Sequence, residues 1–494
     1  MQIAGTETQQ AAGRLAVRRV PETLKKSVAF LAQDTFLVLL LAATFFSGVL
    51  WAAVIPLWQI PDEPAHFGYI QDLGERASLF PEDDYYPAEV HTVFRRTGLA
   101  ALPFHPETTQ PFQPDSRDGP QEDEIKELPR SLRVERNTPE ENAAKSYPSG
   151  YYLLASLVYR TLSSQDIFTI MFGLRIFSAF LTTITMLFTY LTLKRFFRDE
   201  DTARATVLII ALSPMYIYMG MAVNVDVLVW LLFSIYLYLL TRAFTDGLSP
   251  RLNLLLALTA SLGLLVKQTF LLAVPFYLIL VVFLNFRRTL TPSHSLVSLL
   301  VFFATIAALD GWLYLGGFIV TSPDVPEGTM NQDRTVSGFL RHFQDYWPLY
   351  RFYGFDSFWG NFGWLDTSLS QRMYDFLRWG CAAATGALII HLVRSAISRK
   401  IDALTLFYLS ISITFVFAFL VVSYLRLTSG EVWNLQGRYF FPMIGPIIAL
   451  LVLGVVSVSS ARLYKSAVLL ALVAGMAWFH ADVLFRYVIP RFYA

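Results

Sequence analysis

The sequence predicts an all-α protein whose helices cross a membrane many times. Of its 494 residues, 54% are hydrophobic and only 16% are charged, whereas a soluble domain carries about 25% charged residues. The hydrophobic residues come in blocks of about 20, the length that a helix needs to cross a bilayer. Basic clusters lie between alternate pairs of blocks, which is the distribution that the positive-inside rule requires of a multi-pass protein.

Charge and cysteine content exclude several classes of protein. The net charge of +1 gives no global basic field, which argues against nucleic acid as a partner. The single cysteine, Cys381, lies in an apolar block, so we expect neither a disulfide framework nor a cysteine-based metal site. The first apolar run is too long for the core of a cleaved signal peptide, and we expect it to remain as an anchor.

Composition divides the chain into six segments. They are a cytoplasmic basic tail (1–33), a first transmembrane helix (34–56), an extracytoplasmic loop with interfacial helices (57–167), a transmembrane bundle (168–319), an extracytoplasmic aromatic loop (320–373) and C-terminal transmembrane helices (374–494). This arrangement predicts a protein of the inner or plasma membrane with a cytoplasmic N-terminus.

Eleven apolar blocks are predicted to span the membrane. They cover about residues 34–56, 168–193, 203–220, 223–243, 252–267, 269–286, 295–319, 374–393, 402–425, 439–459 and 466–489. With this count, every loop between spans that is assigned to the cytoplasm carries a basic cluster, so the count and the orientation support each other.

The long loop 57–167 is predicted to carry two interfacial helices. Apolar residues recur at helical spacing over 64–78, which favours an amphipathic helix on the membrane surface. The apolar run 147–162 is about 16 residues long and therefore short for a span. If it crossed the membrane, the basic cluster at 194–198 would face outside, so we interpret it as a re-entrant or interfacial helix.

Two adjacent carboxylates, Asp62 and Glu63, follow the first span and open this loop. Either can cap the helix that Pro64 begins. Beside the low-dielectric bilayer, a carboxylate is also expected to have a raised pKa and to serve as a general base near neutral pH. His66 lies one turn on, on the same helical face, as a hydrogen-bond partner or metal ligand. We therefore predict the reactive centre here, with helix capping as the structural alternative.

Five motifs along the chain resemble those of one bacterial family of predicted membrane proteins of unknown function. That family is usually placed beside the GT-C superfamily of membrane glycosyltransferases, which includes protein O-mannosyltransferases, oligosaccharyltransferases and the aminoarabinose transferases that modify lipid A. The motifs occupy residues 61–67, 148–152, 213–215 with 224–226, 357–364 and 436–439. The likeness extends over nearly all of the chain, so it implies a GT-C-like fold.

The resemblance also implies an activity. GT-C enzymes transfer a sugar from a polyprenyl phosphate to a glycan, lipid or protein acceptor on the extracytoplasmic side, usually with inversion. A loop carboxylate acts as the general base or binds a divalent metal. Here that residue would be Asp62, helped by Glu63, with His66 as a third ligand if a metal is used. The sequence contains no Walker loop and no glycine-rich strand-to-helix turn, which fits a lipid-linked donor.

Two cations are candidates for binding the donor phosphate. Arg438 lies in the Gln-Gly-Arg-Tyr motif at the outer mouth of a span, and arginine can grip phosphate with two nitrogens. Lys267 lies between two apolar runs, where an ionisable group is costly and points to function. Interfacial anchoring is the alternative for Arg438, and snorkelling of the side chain to water is the alternative for Lys267.

Further candidates could bind the substrate. They are His66, Tyr151, Asn224, Asp226, Trp359 and Trp364. Asp226 begins a span, where its charge also favours the helix N-terminus, so capping remains open. Trp359 and Trp364 could stack on sugar rings or belong to an aromatic belt at the interface.

Two other functions fit a multi-pass protein of this kind. A transporter or flippase of lipid-linked glycans would need ionisable residues near the middle of the membrane, and the spans have few, with Asp310 as the main exception. We also find no internal repeat of the kind that many transporters show. A non-catalytic partner in envelope polymer assembly would keep the loop without needing its carboxylates.

Overall fold

A computed structural model describes residues 34–77, 83–96, 119–136, 138–315, 335–427 and 435–493. The prediction of an all-α, multi-pass architecture is confirmed. Within these ranges the only paired strands are a two-residue hairpin, β1 (Asn361–Phe362) and β2 (Thr367–Ser368). The predicted basic tail 1–33 lies outside the described residues.

The first membrane-length helix leads into a layer of short helices. Helix α1 (Thr35–Val54) begins at Asp34, whose side chain accepts a hydrogen bond from the Leu37 N–H (3.2 Å). The following loop contains α2 (Glu63–Arg76), α3 (Ala88–Arg96), α4 (Gly119–Lys126) and α5 (Gly150–Leu162), with 3₁₀ turns at Arg130–Arg133 and Ala143–Ser146. At 13 residues, α5 is too short to cross a bilayer.

Helix α2 forms where the sequence predicts a surface helix at 64–78, but protein encloses it. Ten of its 14 residues are buried. Other residues of the loop are partners for its polar side chains. Asp72 pairs with Lys145 (3.1 Å), and Gln71 donates to Glu89 (2.5 Å). The helix forms as predicted and its position at the membrane surface stays a prediction, but its polar stripe is buried by ion pairs, which periodicity alone does not indicate.

The central bundle follows α5. Its helices are α6 (Ile167–Phe196), α7 (Glu200–Ala211), α8 (Pro214–Gly220), α9 (Asp226–Asp246), α10 (Pro250–Leu264), α11 (Ala273–Phe286) and α12 (Pro292–Leu315). The predicted span 203–220 is the pair α7 and α8, which meet at a 64° bend just before Pro214. A 3₁₀ turn, Gln268–Leu272, precedes α11, and Lys267 lies at the break before it in an extended conformation.

The remaining helices complete the molecule. A segment before the C-terminal helices contains α13 (Val336–Asp345), the helical stretch 347–359 and the β1–β2 hairpin. The last helices are α14 (Gln371–Ile397), α15 (Ala403–Leu427), a 3₁₀ segment (Gly437–Met443), α16 (Ile444–Val456), α17 (Arg462–Val483) and, after a π-helical turn (Leu484–Val488), α18 (Ile489–Tyr493).

Each of the eleven predicted spans coincides with helical structure. In the described ranges, nine helical units are long and apolar enough to cross a membrane, and the bent pair α7–α8 makes ten. The eleventh prediction, 252–267, corresponds to α10, which has only 15 residues.

Candidate active site

Asp62 lies immediately before α2 in a conformation that few non-glycine residues adopt. Its backbone is left-handed (φ 69°, ψ −9°), which costs about 1–3 kcal/mol. Its carbonyl oxygen accepts a hydrogen bond from the His66 N–H (3.1 Å), but its side chain makes no capping bond. The carboxylate is 43% exposed. The backbone of Asp62 therefore starts the helix while its carboxylate is directed elsewhere, which does not match a pure capping role.

The carboxylate of Asp62 forms an ion pair with Arg438, which the 3₁₀ segment presents. Arg438 is only 3% exposed, and its Nη2 donates to Asp62. Its Nε and Nη1 are buried without a hydrogen-bond partner among the described residues. Because each unsatisfied buried donor costs about 1–3 kcal/mol, this guanidinium is suited to receive an anion.

Lys267 lies beside this ion pair in an aromatic cage. Its Nζ is 2.5 Å from the Asp226 Oδ1 and 5.1 Å from the centre of the Tyr147 ring. The Tyr439 ring centre is 5.4 Å from both the Lys267 Nζ and the Arg438 Cζ, so one ring contacts both cations. Cation–π contacts of this kind hold a buried ammonium without neutralising it.

The sequence left helix capping and substrate binding open at Asn224 and Asp226, and the two residues make different contacts. The Asp226 N–H donates to the Asn224 Oδ1 (2.9 Å), so Asn224 supports the start of α9. The Asp226 carboxylate instead pairs with Lys267. Both residues are buried beside the cations.

His66 joins the same cluster in its neutral form. Its Nδ1 is hydrogen-bonded to the Tyr152 hydroxyl (2.8 Å), and its ring stacks on that of Tyr147. Burial lowers the pKa of His66 to about 4, although Asp62 and Asp226 pull it upward. At neutral pH the ring is therefore uncharged and can act as a hydrogen-bond partner.

The electrostatics of Asp62 differ from the sequence expectation. Desolvation by the surrounding protein would raise the pKa of its carboxyl, but the nearby cations Arg438 and Lys267 outweigh this effect, so the pKa lies below the usual value. The raised pKa expected beside the bilayer is therefore wrong for Asp62, because cations from distant helices lie next to it, but burial does raise the pKa of Glu63.

Glu63 has a different environment from its neighbour Asp62. It is completely buried, and both its oxygens are bound by Arg175, through Nε to Oε1 (2.9 Å) and Nη2 to Oε2 (2.6 Å). The Val223 N–H also donates to Oε1 (3.2 Å). With its oxygens occupied in this way, Glu63 has the geometry of a structural anchor.

Arg175 is the important residue that the sequence analysis missed. It lies in the first turns of α6, and all five of its N–H donors are used. Besides Glu63, they reach the backbone carbonyls at the end of α1, those of Ala52 (3.3 Å), Ile55 (2.5 Å) and Pro56 (3.0 Å). An arginine inside the apolar run 168–193 was the signal that could have identified it.

The three remaining candidates, Tyr151, Trp359 and Trp364, are buried or half-buried. Tyr151 is fully buried, so a ligand would not touch it in this conformation. Trp359 is also buried, and Trp364 is half-buried with its Nε1 donating to the Trp58 carbonyl (2.9 Å). This bond ties the aromatic segment to the chain just before Asp62.

The residues suggested as metal ligands do not converge. Asp62 faces Arg438, Glu63 is held by Arg175, and the His66 Nδ1 is bonded to Tyr152. Throughout the described parts of the chain, no group of three or more His, Cys, Asp or Glu side chains is arranged to hold a metal ion. The site therefore does not fit a divalent metal.

Close backbone contact positions Arg438. A Cβ on Gly437 would collide with the Phe358 backbone nitrogen and lie 2.6 Å from the Gly354 carbonyl oxygen. Only glycine allows the 3₁₀ segment to lie this close to the 347–359 stretch. Gly150 plays the same part near Lys267, since a Cβ there would lie 2.5 Å from the Leu265 carbonyl oxygen.

We expect Gly437→Ala to lower the free energy of unfolding by about 1–3 kcal/mol, because the two backbones must separate to admit the methyl group. The measurement is the thermal unfolding midpoint of the purified protein. Gly380→Ala is the control, since Gly380 lies within α14 and a Cβ there meets nothing within 4 Å. Equal unfolding temperatures for Gly437→Ala and the unmodified protein would contradict this account.

Comparisons with known proteins identify the family. No curated protein matches the chain. ArnT from Cupriavidus metallidurans is similar in structure at 13% identity, both bound to undecaprenyl phosphate (TM-score 0.45, covering 92% of this chain and 73% of that one) and in the apo state (TM-score 0.44, covering 93% and 74%). The model of the DUF2142 family, described as a predicted membrane protein, matches residues 45–447. Because this match spans most of the sequence, the chain belongs to the DUF2142 family of predicted membrane proteins.

Proposed function

We propose that this protein is a GT-C-like membrane glycosyltransferase. It moves a sugar from a polyprenyl-phosphate donor to a hydroxyl of an envelope glycan, lipid or protein on the extracytoplasmic face, with inversion. The observation that carries the proposal is an accessible carboxylate, Asp62, beside two buried cations, one of which has two unpartnered nitrogens. The motifs that resemble a family usually placed beside the GT-C superfamily support it.

Arg438 and Lys267 would bind the donor phosphate. The Nε and Nη1 of Arg438 are unpartnered and lie on different edges of the guanidinium, so each offers a single hydrogen bond to a phosphate oxygen. Lys267 adds a second cation, which pairs with Asp226 through one N–H and has the rings of Tyr147 and Tyr439 beside it, so further N–H groups can donate to a phosphate. As the bond between sugar and phosphate breaks, negative charge grows on the phosphate, and fixed cations stabilise that charge most where water is excluded.

Asp62 would act as the general base. It takes the proton of the acceptor hydroxyl as that oxygen bonds to the anomeric carbon, and the electrons of the breaking bond pass to the leaving phosphate. Arg438 links the two events. A phosphate that draws Arg438 away from Asp62 weakens their ion pair, which raises the pKa of Asp62 towards the range of a useful base.

The test is donor binding by two variants, Arg438→Gln and Lys267→Gln. Each removes a charge-assisted hydrogen-bond donor worth about 1.5–3 kcal/mol, so we expect each to bind polyprenyl phosphate roughly 10-fold to 100-fold more weakly. Binding of a radiolabelled polyprenyl phosphate to protein in detergent micelles measures this effect.

Arg372→Gln serves as the control for these variants. Arg372 is an exposed arginine near the start of α14, and we expect its loss to leave binding unchanged. Unfolding temperatures of all variants separate lost binding from lost structure. Unchanged affinity in both Arg438→Gln and Lys267→Gln would rule out the proposed donor site.

A further inference from the structure

A cavity lies beside the beginning of α1, at the opposite end of that helix from Asp62. Its volume is about 640 Å³, and it is formed by α7, the 457–461 turn and the first turns of α17. Arg204, which lines it, has its guanidinium 5.3 Å from the ring centre of Phe36, at the beginning of α1. Asp62 follows the opposite end of α1. Since a 20-residue helix is about 30 Å long, the cavity and Asp62 lie near opposite faces of a bilayer.

The mouth of the cavity is positively charged. Arg462 and Lys465 line it together with two serines, and neither cation has an acidic partner among the described residues. Arg462 begins α17, whose N-terminus has no side-chain cap. A phosphodiester could therefore meet two free cations and serine hydroxyls at this position.

Two carboxylates, Asp199 and Asp201, also line the cavity. Asp199 caps α7, where its Oδ2 accepts a hydrogen bond from the Thr202 N–H (3.1 Å). Asp201 is exposed, and Arg204 is paired with Glu200 (3.1 Å) while its Nε is buried without a partner. Arg204 and Glu200 neutralise each other and Asp199 is engaged by the start of α7, so Arg462 and Lys465 face one uncommitted acid, Asp201, which favours an anion over a cation.

The inner wall is apolar. Leu208, Leu469, Leu470 and Val473 continue from the charged mouth along the faces of α7 and α17. A ligand that fills the cavity would therefore combine a phosphate with a hydrocarbon chain. A free phosphate would use the mouth and leave the apolar wall uncovered.

We infer that this cavity binds the headgroup of an anionic phospholipid, with an acyl chain against the apolar wall. Basic pockets between transmembrane helices bind anionic lipid headgroups in this way. The site is separate from the proposed donor site, because it lies at the opposite end of α1.

The experiment measures stabilisation by lipid in detergent. Phosphatidylglycerol is expected to raise the unfolding midpoint of the full-length protein more than phosphatidylcholine does, because a ligand that binds only the folded state stabilises it. In the Arg462→Ala/Lys465→Ala variant, we expect the concentration of phosphatidylglycerol needed for half of this shift to increase roughly 10-fold to 100-fold.

A matched control is Arg394→Ala/Lys400→Ala, which removes two exposed cations near the end of α14 that do not line the cavity. This variant should respond to phosphatidylglycerol like the unmodified protein. Equal shifts with phosphatidylglycerol in all three proteins would overturn the inference. A shift produced equally well by soluble glycerol phosphate would also overturn it, because the ligand would then be a free phosphate compound rather than a lipid.

Discussion

The Asp62→Asn variant is expected to lose sugar transfer by about 100-fold to 10,000-fold, the usual contribution of a general base. The amide has the shape of the carboxylate and can still accept a hydrogen bond from Arg438, but it cannot take a proton from the acceptor. The assay is transfer of sugar from a polyprenyl-phosphate donor by protein reconstituted in vesicles.

The fold should survive this change. The Asp62 side chain is 43% exposed and does not cap α2, and the amide that replaces it still accepts a hydrogen bond from the buried Arg438, so that donor stays satisfied. Asp366→Asn is a matched control, because Asp366 is also paired with an arginine, Arg491 (2.6 Å), outside the cluster. Full transfer activity in Asp62→Asn, with a normal unfolding temperature, would show that Asp62 is not the base.

Replacement of Arg175 by methionine is expected to have the largest effect on stability. It removes five donors at once and leaves Glu63 as an unpaired buried charge, a change that costs about 3–5 kcal/mol. We expect a strongly lowered unfolding midpoint and a low yield of folded protein. Thermal unfolding in detergent, followed together with the yield from membranes, measures both.

Two further variants test the cause. Arg195→Met removes an exposed ion pair from the same helix, that between Arg195 and Asp246 (2.9 Å), and should cost less than about 1 kcal/mol. Adding Glu63→Gln to Arg175→Met removes the stranded charge and should recover part of the stability. If the double variant were no more stable than Arg175→Met alone, the buried charge of Glu63 would not be the reason.

The architecture was predictable from the sequence because the length of apolar runs and the position of basic clusters are local properties. Every predicted span coincides with helical structure, and 147–162 contains a helix too short to cross, as interpreted. The burial of the polar stripe of 64–78 was not predicted, because it depends on partners such as Lys145, which are far away in sequence.

The site was predictable only in part, for the same reason. Asp62 and Glu63 are adjacent acids. Only their partners in the fold show that the carboxylate of Asp62 is accessible, whereas that of Glu63 is held by Arg175. Arg438 was recognised by its motif, but its pairing with Asp62 across 376 positions has no sequence signal without homologues. Arg175 was missed because one cation in a 30-residue helix scarcely changes its hydropathy.

The pairing of Asp62 with Arg438 also has a consequence for biosynthesis. A chain emerging from the ribosome exposes Asp62 long before Arg438 has been made, since 376 positions separate them. During that interval the nascent protein has the carboxylate but lacks the arginine that would receive the phosphate. Insertion of the last helices therefore completes the site, so partly translated or prematurely terminated chains would be inert towards lipid-linked sugars in the same membrane.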